Sequence, residues 1–516
     1  MQRPRMTLDE AMAQAASLER GDRFAEAEAI YRQVLAQAPD HAPALLRLAR
    51  IAQRFGHAQA AAQLAERAAA VHPTADAFGV LGLALHQLKK LAGAEAALRR
   101  AAELAPDNAS VHFNLGTVLW ELGDAVAARD CYSRALAVRP DFAQACHGIM
   151  VADGALGRFD EAVRAGRRAA SLALNTPRFW CDFGVALLEV GELHEAIAAE
   201  ERGVALDPQD ATLHYNLGQA LLLDGDFERG WREVEWRWRC EWFTAPRRNF
   251  TQPLWDGAAG AKTVLLHEEQ GAGDVIMMAR YIALAAERVR VIVECRAPLV
   301  ELLRSACGAA EVARMGEPLP SFDAQAPLLS LPMIFQTRVD TIPHRVPYLR
   351  ADAERLRRWR ERLGPDTRLK VGVAWAGAST HSNDVNRSTS LETLLPLQTV
   401  DGVRFVSLQK PARPRAEWMD DWTDELHDYA DTAALVENLD LVISVDTSVA
   451  HLAGAMAKPV WTMLPFAPDW RWLARERESS PWYPTMRLFR QTRPRQWGDV
   501  VEHVRAALLE VAAKRR

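Results

Sequence analysis

The sequence predicts an α-helical superhelical solenoid followed by an α/β region whose two doubly wound halves face a cleft, and three observations carry that prediction. Prolines recur at Pro39, Pro73, Pro106, Pro140 and Pro208, with Leu174 on the one missing beat, so the steps are 34, 33, 34, 34 and 34 residues. Past Lys262 this beat stops, and short β-branched runs alternate with helical stretches. Between Leu439 and Trp461 a strand, Leu-Val-Ile-Ser-Val, runs into the polar turn Asp446-Thr447-Ser448 and then into a small-residue helix. A turn of that kind at a helix N-terminus favours an anion; the alternative reading is an ordinary βα turn.

The repeat region comes first in the chain. Ala27, Tyr31, Val34, Leu35 and Pro39 reappear as Ala128, Tyr132, Ala135, Leu136 and Pro140. A second comb of turn glycines, Gly56, Gly123, Gly157, Gly191 and Gly225, keeps the same beat. Leu-Gly pairs at Leu81-Gly82, Leu115-Gly116 and Leu217-Gly218 mark the close-packed point of the first helix in their units. Each helix pair buries its Ala/Leu face only by stacking on a neighbour, which yields a curved array with a concave surface suited to binding a protein segment. The pattern resembles the tetratricopeptide repeat and covers residues 6–243 as about seven units, the last degenerate.

Asn114 and Asn216 stand two residues before the glycine of their first helices. In the repeats of eukaryotic O-linked sugar transferases asparagines at this place grip a peptide backbone, because an amide donates and accepts at once. Here the equivalent positions elsewhere are Arg47, Val80, Gly148 and Asp182, so the ladder is not continuous. Peptide contact and a plain solvated polar position are both open for the two amides. The last unit crowds Trp231, Trp236, Trp238 and Trp242 into one stretch, which reads as a capping core. A linker at residues 244–261, holding Pro246, Pro253 and Gly257, marks the expected domain boundary.

The first α/β half, residues 262–348, opens with a strand at Thr263 to Leu266, the turn HEEQGAGD and a helix from Val275 to Glu287. A strand from Val289 to Cys295 and a helix from Ala297 to Ala306 follow. The second half, residues 349–516, opens with a charged helix from Arg355 to Leu363. Strands at Leu369 to Trp375 and Arg404 to Leu408 precede the Leu439–Trp461 stretch. Ligands of such folds sit at the carboxyl ends of the strands.

In the turn after the first strand, Gly271, Gly273 and Asp274 form a Gly-x-Gly-Asp motif that lacks the third glycine of a dinucleotide fingerprint. Its glycines allow a tight turn that holds Asp274 at the cleft. A carboxylate there can take a proton from an acceptor hydroxyl, whereas the bland alternative is a helix cap without chemistry. With Asp446-Thr-Ser-Val-Ala-His451-Leu in the other half, residues 262–512 resemble a GT-B glycosyltransferase of the heptosyltransferase-like group (glycosyltransferase family 9-like). The whole chain resembles bacterial proteins that fuse tetratricopeptide repeats to such a transferase, some of them implicated in glycosylating flagellin or surface proteins.

The resemblance implies Asp274 as general base on an acceptor-side half. It implies Asp446, Thr447 and Ser448 beneath a nucleotide-sugar donor in the second half, with His451 a candidate phosphate contact or a structural histidine. Arg387, the fixed cation of the polar loop after Trp375, is expected to neutralise the leaving group; related transferases often carry a lysine there. Gln409 and Lys410 are expected to line the nucleotide side. Asp469 and Trp470 either close over the sugar or belong to a tryptophan core. The only Asp-x-Asp is Asp224-Gly-Asp226 in a repeat turn, so neither a metal nor another cofactor is expected.

Composition narrows the partners. A formal net charge of -5 gives no reason to expect nucleic acid. Six scattered cysteines, Cys131, Cys146, Cys181, Cys240, Cys295 and Cys307, read as reduced thiols. No signal-like segment or spanning apolar run is present, which reads as a cytoplasmic protein without an integral membrane segment. The expected function is therefore an inverting, metal-independent glycosyltransferase acting on a protein acceptor recruited by the repeats. A catalytically idle repeat scaffold and a lipopolysaccharide-type heptosyltransferase are the rivals.

Overall fold

The computed structural model describes residues 6–246, 248–306, 309–381, 383–410, 415–474 and 477–515. The sequence readings at Cys307 and at Ser382 of the polar loop lie outside them. Two compact units divide the chain, Met1–Ala186 and Leu187–Arg516.

Helices in the first unit alternate between 13 and 14 residues: Leu8–Arg20, Phe24–Gln37, Ala42–Arg54, Ala58–Val71, Ala75–Gln87, Leu91–Leu104, Ala109–Glu121, Ala125–Val138, Ala143–Ala155 and Phe159–Leu172. The glycine comb has a backbone cause. Gly56, Gly123, Gly157, Gly191 and Gly225 all lie at φ between +73° and +95°, where a Cβ is strained. Asp22 and Lys89 fill the two remaining beats at φ +57°, which is why a search for glycine misses them. The Leu-Gly pairs are points of close approach. A Cβ on Gly82 would fall 2.5 Å from Leu98 Cγ, and one on Gly116 would fall 2.7 Å from Tyr132 Cε1.

Carbonyls of the inter-repeat turns end short of any helix ladder and are met by side chains. His112 Nε2 lies 2.7 Å from the Pro106 carbonyl and His214 Nε2 lies 3.2 Å from that of Pro208. The Trp180 indole donates to Leu174 O at 3.1 Å, and Arg67 and Arg168 reach back to the carbonyls of Pro39 and Pro140. In each of these contacts the beat residue itself supplies the acceptor.

The second unit begins with the helices Leu193–Leu206, Ala211–Asp224 and Phe227–Val234 and a 3-10 turn, Glu235–Arg239. Two wholly parallel sheets follow. The first has strands β1 (Thr263–His267), β2 (Arg290–Cys295), β3 (Ala309–Arg314) and β4 (Ala324–Pro327) in the order β3-β2-β1-β4. The second has β5 (Leu369–Ala374), β6 (Val403–Ser407), β7 (Met419–Asp420), β8 (Leu441–Val445), β9 (Val460–Leu464) and β10 (Met486–Arg490) in the order β10-β9-β8-β5-β6-β7. Parallel strands buried on both faces explain the largely apolar runs at β1, β5 and β8. The sequence gives no strand signal at β3, a charged edge strand, or at β4, four residues ending in proline. The helix expected from Val275 to Glu287 is two short ones, Ala272–Met278 and Arg280–Ala286.

Packing is continuous across the covalent linker. Phe227, Trp231 and Val234 of the terminal repeat share one hydrophobic core with Val264 of β1, Val442 of β8 and Trp482. Trp231 donates its indole N–H to Thr337 O at 2.9 Å and meets the Trp470 ring edge-on at 5.1 Å. Arg237, 2% exposed, bonds Glu269 through Nε (3.1 Å) and Nη2 (2.9 Å), Glu235 at 2.6 Å and Ser330 at 2.9 Å. The compact units part at 186/187, inside the helix Pro177–Glu189, and the aromatic run of the last repeat is packed inside the α/β core.

Gly116→Ala drives a methyl into the Tyr132 ring and should cost about 1–3 kcal/mol. Gly154, inside the helix Ala143–Ala155 with nothing within 4 Å of a built Cβ, should gain about 0.5–1 kcal/mol as Gly154→Ala. Denaturation midpoints of the two variants should therefore move in opposite directions.

Candidate functional site between the parallel sheets

Strand order locates the crevices of the second unit. In the first sheet the chain leaves β1 toward β2 and β3 and returns to its other side at β4. In the second it leaves β5 toward β6 and β7, then returns at β8. The turn after β1, the loop after β5 and the turn after β8 thus lie at switch points, where α/β folds hold ligands.

Contacts at four consecutive residues, 267 to 270, fix the turn after β1. His267 Nε2 lies 2.8 Å from Gln325 Oε1, Glu268 accepts from Arg296 N and Nε at 2.8 Å each, Glu269 is held by Arg237, and Arg296 also donates to Gln270 O. Asp274 is the third residue of the helix Ala272–Met278, and its Oδ2 accepts from Gly271 N at 2.8 Å. Its Oδ1 accepts from Arg471 Nη2. The carboxylate thus closes the start of its own helix and also reaches a cation from beyond β9. Two of the roughly four acceptor positions of a carboxylate are used and two remain.

At Gly273 the two halves pack closely. A Cβ there would stand 3.0 Å from His451 Cδ2 and 3.5 Å from Ser448 Cα, so the first turns of helices Ala272–Met278 and Ser448–Ala455 lie side by side. The latter helix has no side-chain cap. Thr447, its cap residue, places Oγ1 2.9 Å from Ser444 Oγ, and Ser448 Oγ accepts from Tyr429 OH at 2.8 Å.

Burial, and then the charge of Asp469, push the Asp446 carboxyl up to about 6, while Arg471 and Arg387 pull the other way. His451 is 4% exposed, with Nδ1 3.0 Å from Tyr483 OH, Nε2 3.8 Å from Asp446 Oδ1, and its ring stacked on Trp472 at 5.3 Å. Burial, then Arg471, Arg280 and Arg387, hold the imidazole well below its ordinary value, so it is neutral.

Arg387 lies against the loop backbone, where a Cβ on Gly377 would be 2.5 Å from its Nη2, and its Nε is 3.7 Å from Asp384 Oδ1. Gln409 is committed elsewhere. Its Oε1 accepts from Trp375 N (2.9 Å) and Ala376 N (2.8 Å), and its Nε2 donates to Ala376 O at 3.0 Å. The amide pins the end of β5 to the end of β6. Lys410 donates to Leu426 O. Trp470 is 5% exposed, in the core beside Trp231 and Trp482, so it forms no lid.

Arg471 had no role in the sequence reading. It is 9% exposed, donates Nη1 to Asp469 Oδ1 at 2.6 Å, pairs with Asp274, and lies 4.3 Å from the Trp470 ring centroid. The signal was in PDWRW, where one arginine sits between two aromatic residues and follows an aspartate. Tyr215, on the repeat helix Ala211–Asp224, also belongs to this neighbourhood. Burial, and then the charge of Asp469, push its phenol up to about 12, and Arg471 and Asp274 act on it too.

Asn216 follows Tyr215 and is half-buried, while Asn114 is half-buried on the helix Ala109–Glu121 of the first unit. The other ladder positions are used structurally. Asp182 bonds His147 at 2.7 Å and Arg178 at 2.6 Å, Gly148 packs on Tyr132, and Val80 is 6% exposed. Among the described residues no group of three or more His, Cys, Asp or Glu is placed to hold a metal, and no helix is long and apolar enough to cross a membrane.

Gln409→Ala should strand the N–H groups of Trp375 and Ala376 and cost about 1–3 kcal/mol in a denaturant titration. For Asp446 the sign follows from its raised value. Between the ordinary aspartate value near 4 and about 6 the folded chain binds more protons than the unfolded one, so stability falls as pH rises through that window. Asp446→Asn should flatten that part of a melting-temperature profile against pH.

The family models that match lie in the repeats, whereas one relative aligns along nearly the whole chain. Models described as tetratricopeptide repeat match residues 18–83 and 109–142, and one described as TPR repeat matches residues 82–123 and 184–225. The chain is 27% identical over 529 aligned residues to Protein FlbA of Caulobacter vibrioides, covering 95% of this chain and 82% of that protein. It is 26% identical over 187 residues to the tetratricopeptide repeat-containing protein trd-1 of Caenorhabditis elegans, covering 36% of this chain and 24% of that one. Among solved structures, that of MamA aligns at 25% identity with a TM-score of 0.30, over 31% of this chain and 93% of MamA. The N-terminal region of this chain carries tetratricopeptide repeats, and two parallel sheets follow it.

Proposed function

We propose that the chain is an inverting, metal-independent glycosyltransferase with a GT-B arrangement of its two sheets, moving a sugar from a nucleotide donor to a hydroxyl of a protein recruited by the repeats. The observation that carries this reading is the meeting of two switch-point turns. Asp274 from the first sheet and the Asp446–Ser448 elbow from the second approach the same buried arginine, with Gly273 against Ser448 and His451. Tetratricopeptide repeats support protein binding as the recruiting step.

The chemistry would run as one displacement. The acceptor oxygen bonds to the anomeric carbon, the bond from that carbon to the phosphate oxygen breaks with its electron pair, and the acceptor proton passes to a free lone pair of Asp274. Attack opposite the leaving group inverts the anomeric carbon. Charge on the departing phosphates would be met by the N-terminus of the helix Ser448–Ala455 and by the nearby guanidinium groups. An idle scaffold that binds partners through its repeats is the second reading, favoured by one fact: both oxygens of Asp274 already hold hydrogen bonds.

The test measures transfer and donor hydrolysis by the purified full chain over a panel of nucleotide sugars. Asp274→Asn should keep donor binding and lose about 10²–10⁴-fold in turnover. Unchanged turnover would remove the base assignment, and absence of turnover in the parent chain, with nucleotide binding intact, would favour the scaffold.

A further inference from the structure

Arg471 holds the charge on which the two halves converge. Its guanidinium donates to Asp274 of the first half and to Asp469 of the second, and Asp446 acts on it as well. Three aspartates thus act on one buried arginine, and a further cation of the neighbourhood, Arg387, stands 3.7 Å from Asp384. An incoming diphosphate brings negative charge to this place, beside the uncapped start of the helix Ser448–Ala455. Guanidinium binds carboxylate and phosphate through the same fork of N–H donors, so the two compete for it.

Resting on the transferase reading, we propose that Arg471 exchanges partners, leaving Asp274 for the phosphates of the donor, so that donor binding is the event that frees the base. No covalent bond changes in this step; one charge-assisted hydrogen bond is traded for another. With the donor absent, the carboxylate is tied to Arg471 and the attacking hydroxyl has a weaker partner. With the donor present, Arg471 stabilises the leaving group and Asp274 faces the acceptor. Binding is then ordered, donor before acceptor. Arg471 rather than Arg387 is the main counter-charge of the diphosphate. Asp469, whose Oδ1 also accepts from the backbone N–H of Arg471 at 3.0 Å, is the fixed pivot that keeps the guanidinium within reach of both partners.

A double-mutant cycle tests the exchange. The full chain and the variants Asp274→Asn, Arg471→Gln and the double variant are titrated calorimetrically with the nucleoside diphosphate that most raises the melting temperature, chosen from the uridine, guanosine, adenosine, cytidine and thymidine compounds. Asp274→Asn should bind at least fivefold more tightly than the parent, because the competitor for the guanidinium is gone. Arg471→Gln should bind at least tenfold more weakly. In the Arg471→Gln background, Asp274→Asn should bring no gain. A gain of equal size there would mean simple removal of a like charge and would overturn the proposal, as would a parent chain that binds while Asp274→Asn binds no better. Should Arg471→Gln fail to fold, Arg471→Lys takes its place in the cycle. Its single ammonium cannot fork, so the gain from Asp274→Asn should fall below twofold; a full fivefold gain would overturn the exchange. Failure of every diphosphate to bind the parent chain and the Asp274→Asn variant would instead remove the transferase reading itself.

Discussion

A guanidinium taken out of water must be given partners, and in the second unit that requirement organises the site. Arg471 is 9% exposed, and its carboxylates come from two different sheets, Asp274 from the turn after β1 and Asp469 from the segment after β9. Desolvating an unpaired charge costs several kcal/mol, so the two turns are constrained to meet. The approach needs room, which Gly273 supplies by having no side chain where His451 packs. His451 is neutral because burial and three arginines disfavour its proton. It therefore adds no further cation, and its ring nitrogens face Tyr483 and Asp446.

Backbone contacts recur along the repeats as well. Carbonyls at the turn between units are met by His112, Trp180 and His214 at one shared position and by Arg67 and Arg168 at another. In both His-aromatic-Asn sequences, at 112–114 and 214–216, the histidine meets a backbone carbonyl, that of Pro106 or Pro208. In the terminal repeat the arrangement is extended into the α/β core. The buried Arg237 joins Glu235, Glu269 and Ser330, and so ties the last repeat turn to the residues leading into Gly271 and Asp274. A buried ion pair of this kind is a poor source of net stability but a strong specifier of which surfaces meet.

Local signals were read well wherever the chain's own neighbours decide the outcome. The turn glycines are at positive φ, as a tight helix–turn–helix requires, and the apolar runs at β1, β5 and β8 are strands because parallel strands bury both faces. Signals failed where a partner far along the chain decides. Gln409 looked like a ligand-facing residue at a strand end, but the backbone N–H groups of Trp375 and Ala376 claim its amide. Trp470 looked equally suited to a lid or a core, and Trp231, more than two hundred residues earlier, makes it core. Strand β4 was hidden because its four residues are held by pairing to β1 and carry little propensity of their own.

The sequence by itself determined the repeat length, the helix–turn–helix units, the change to alternating strands and helices after Lys262, and the two turns that hold Asp274 and Asp446. All of these follow from period, backbone conformation and the chemistry of short segments. Only the tertiary structure decided that the last repeat packs within the α/β core, that the compact units part at 186/187, and that Arg471 stands between Asp274 and Asp469. The physical reason is that a buried charge and a buried indole choose partners by distance in space. Residues 274 and 471 come together through folding, and nothing in the local pattern of either one encodes the other.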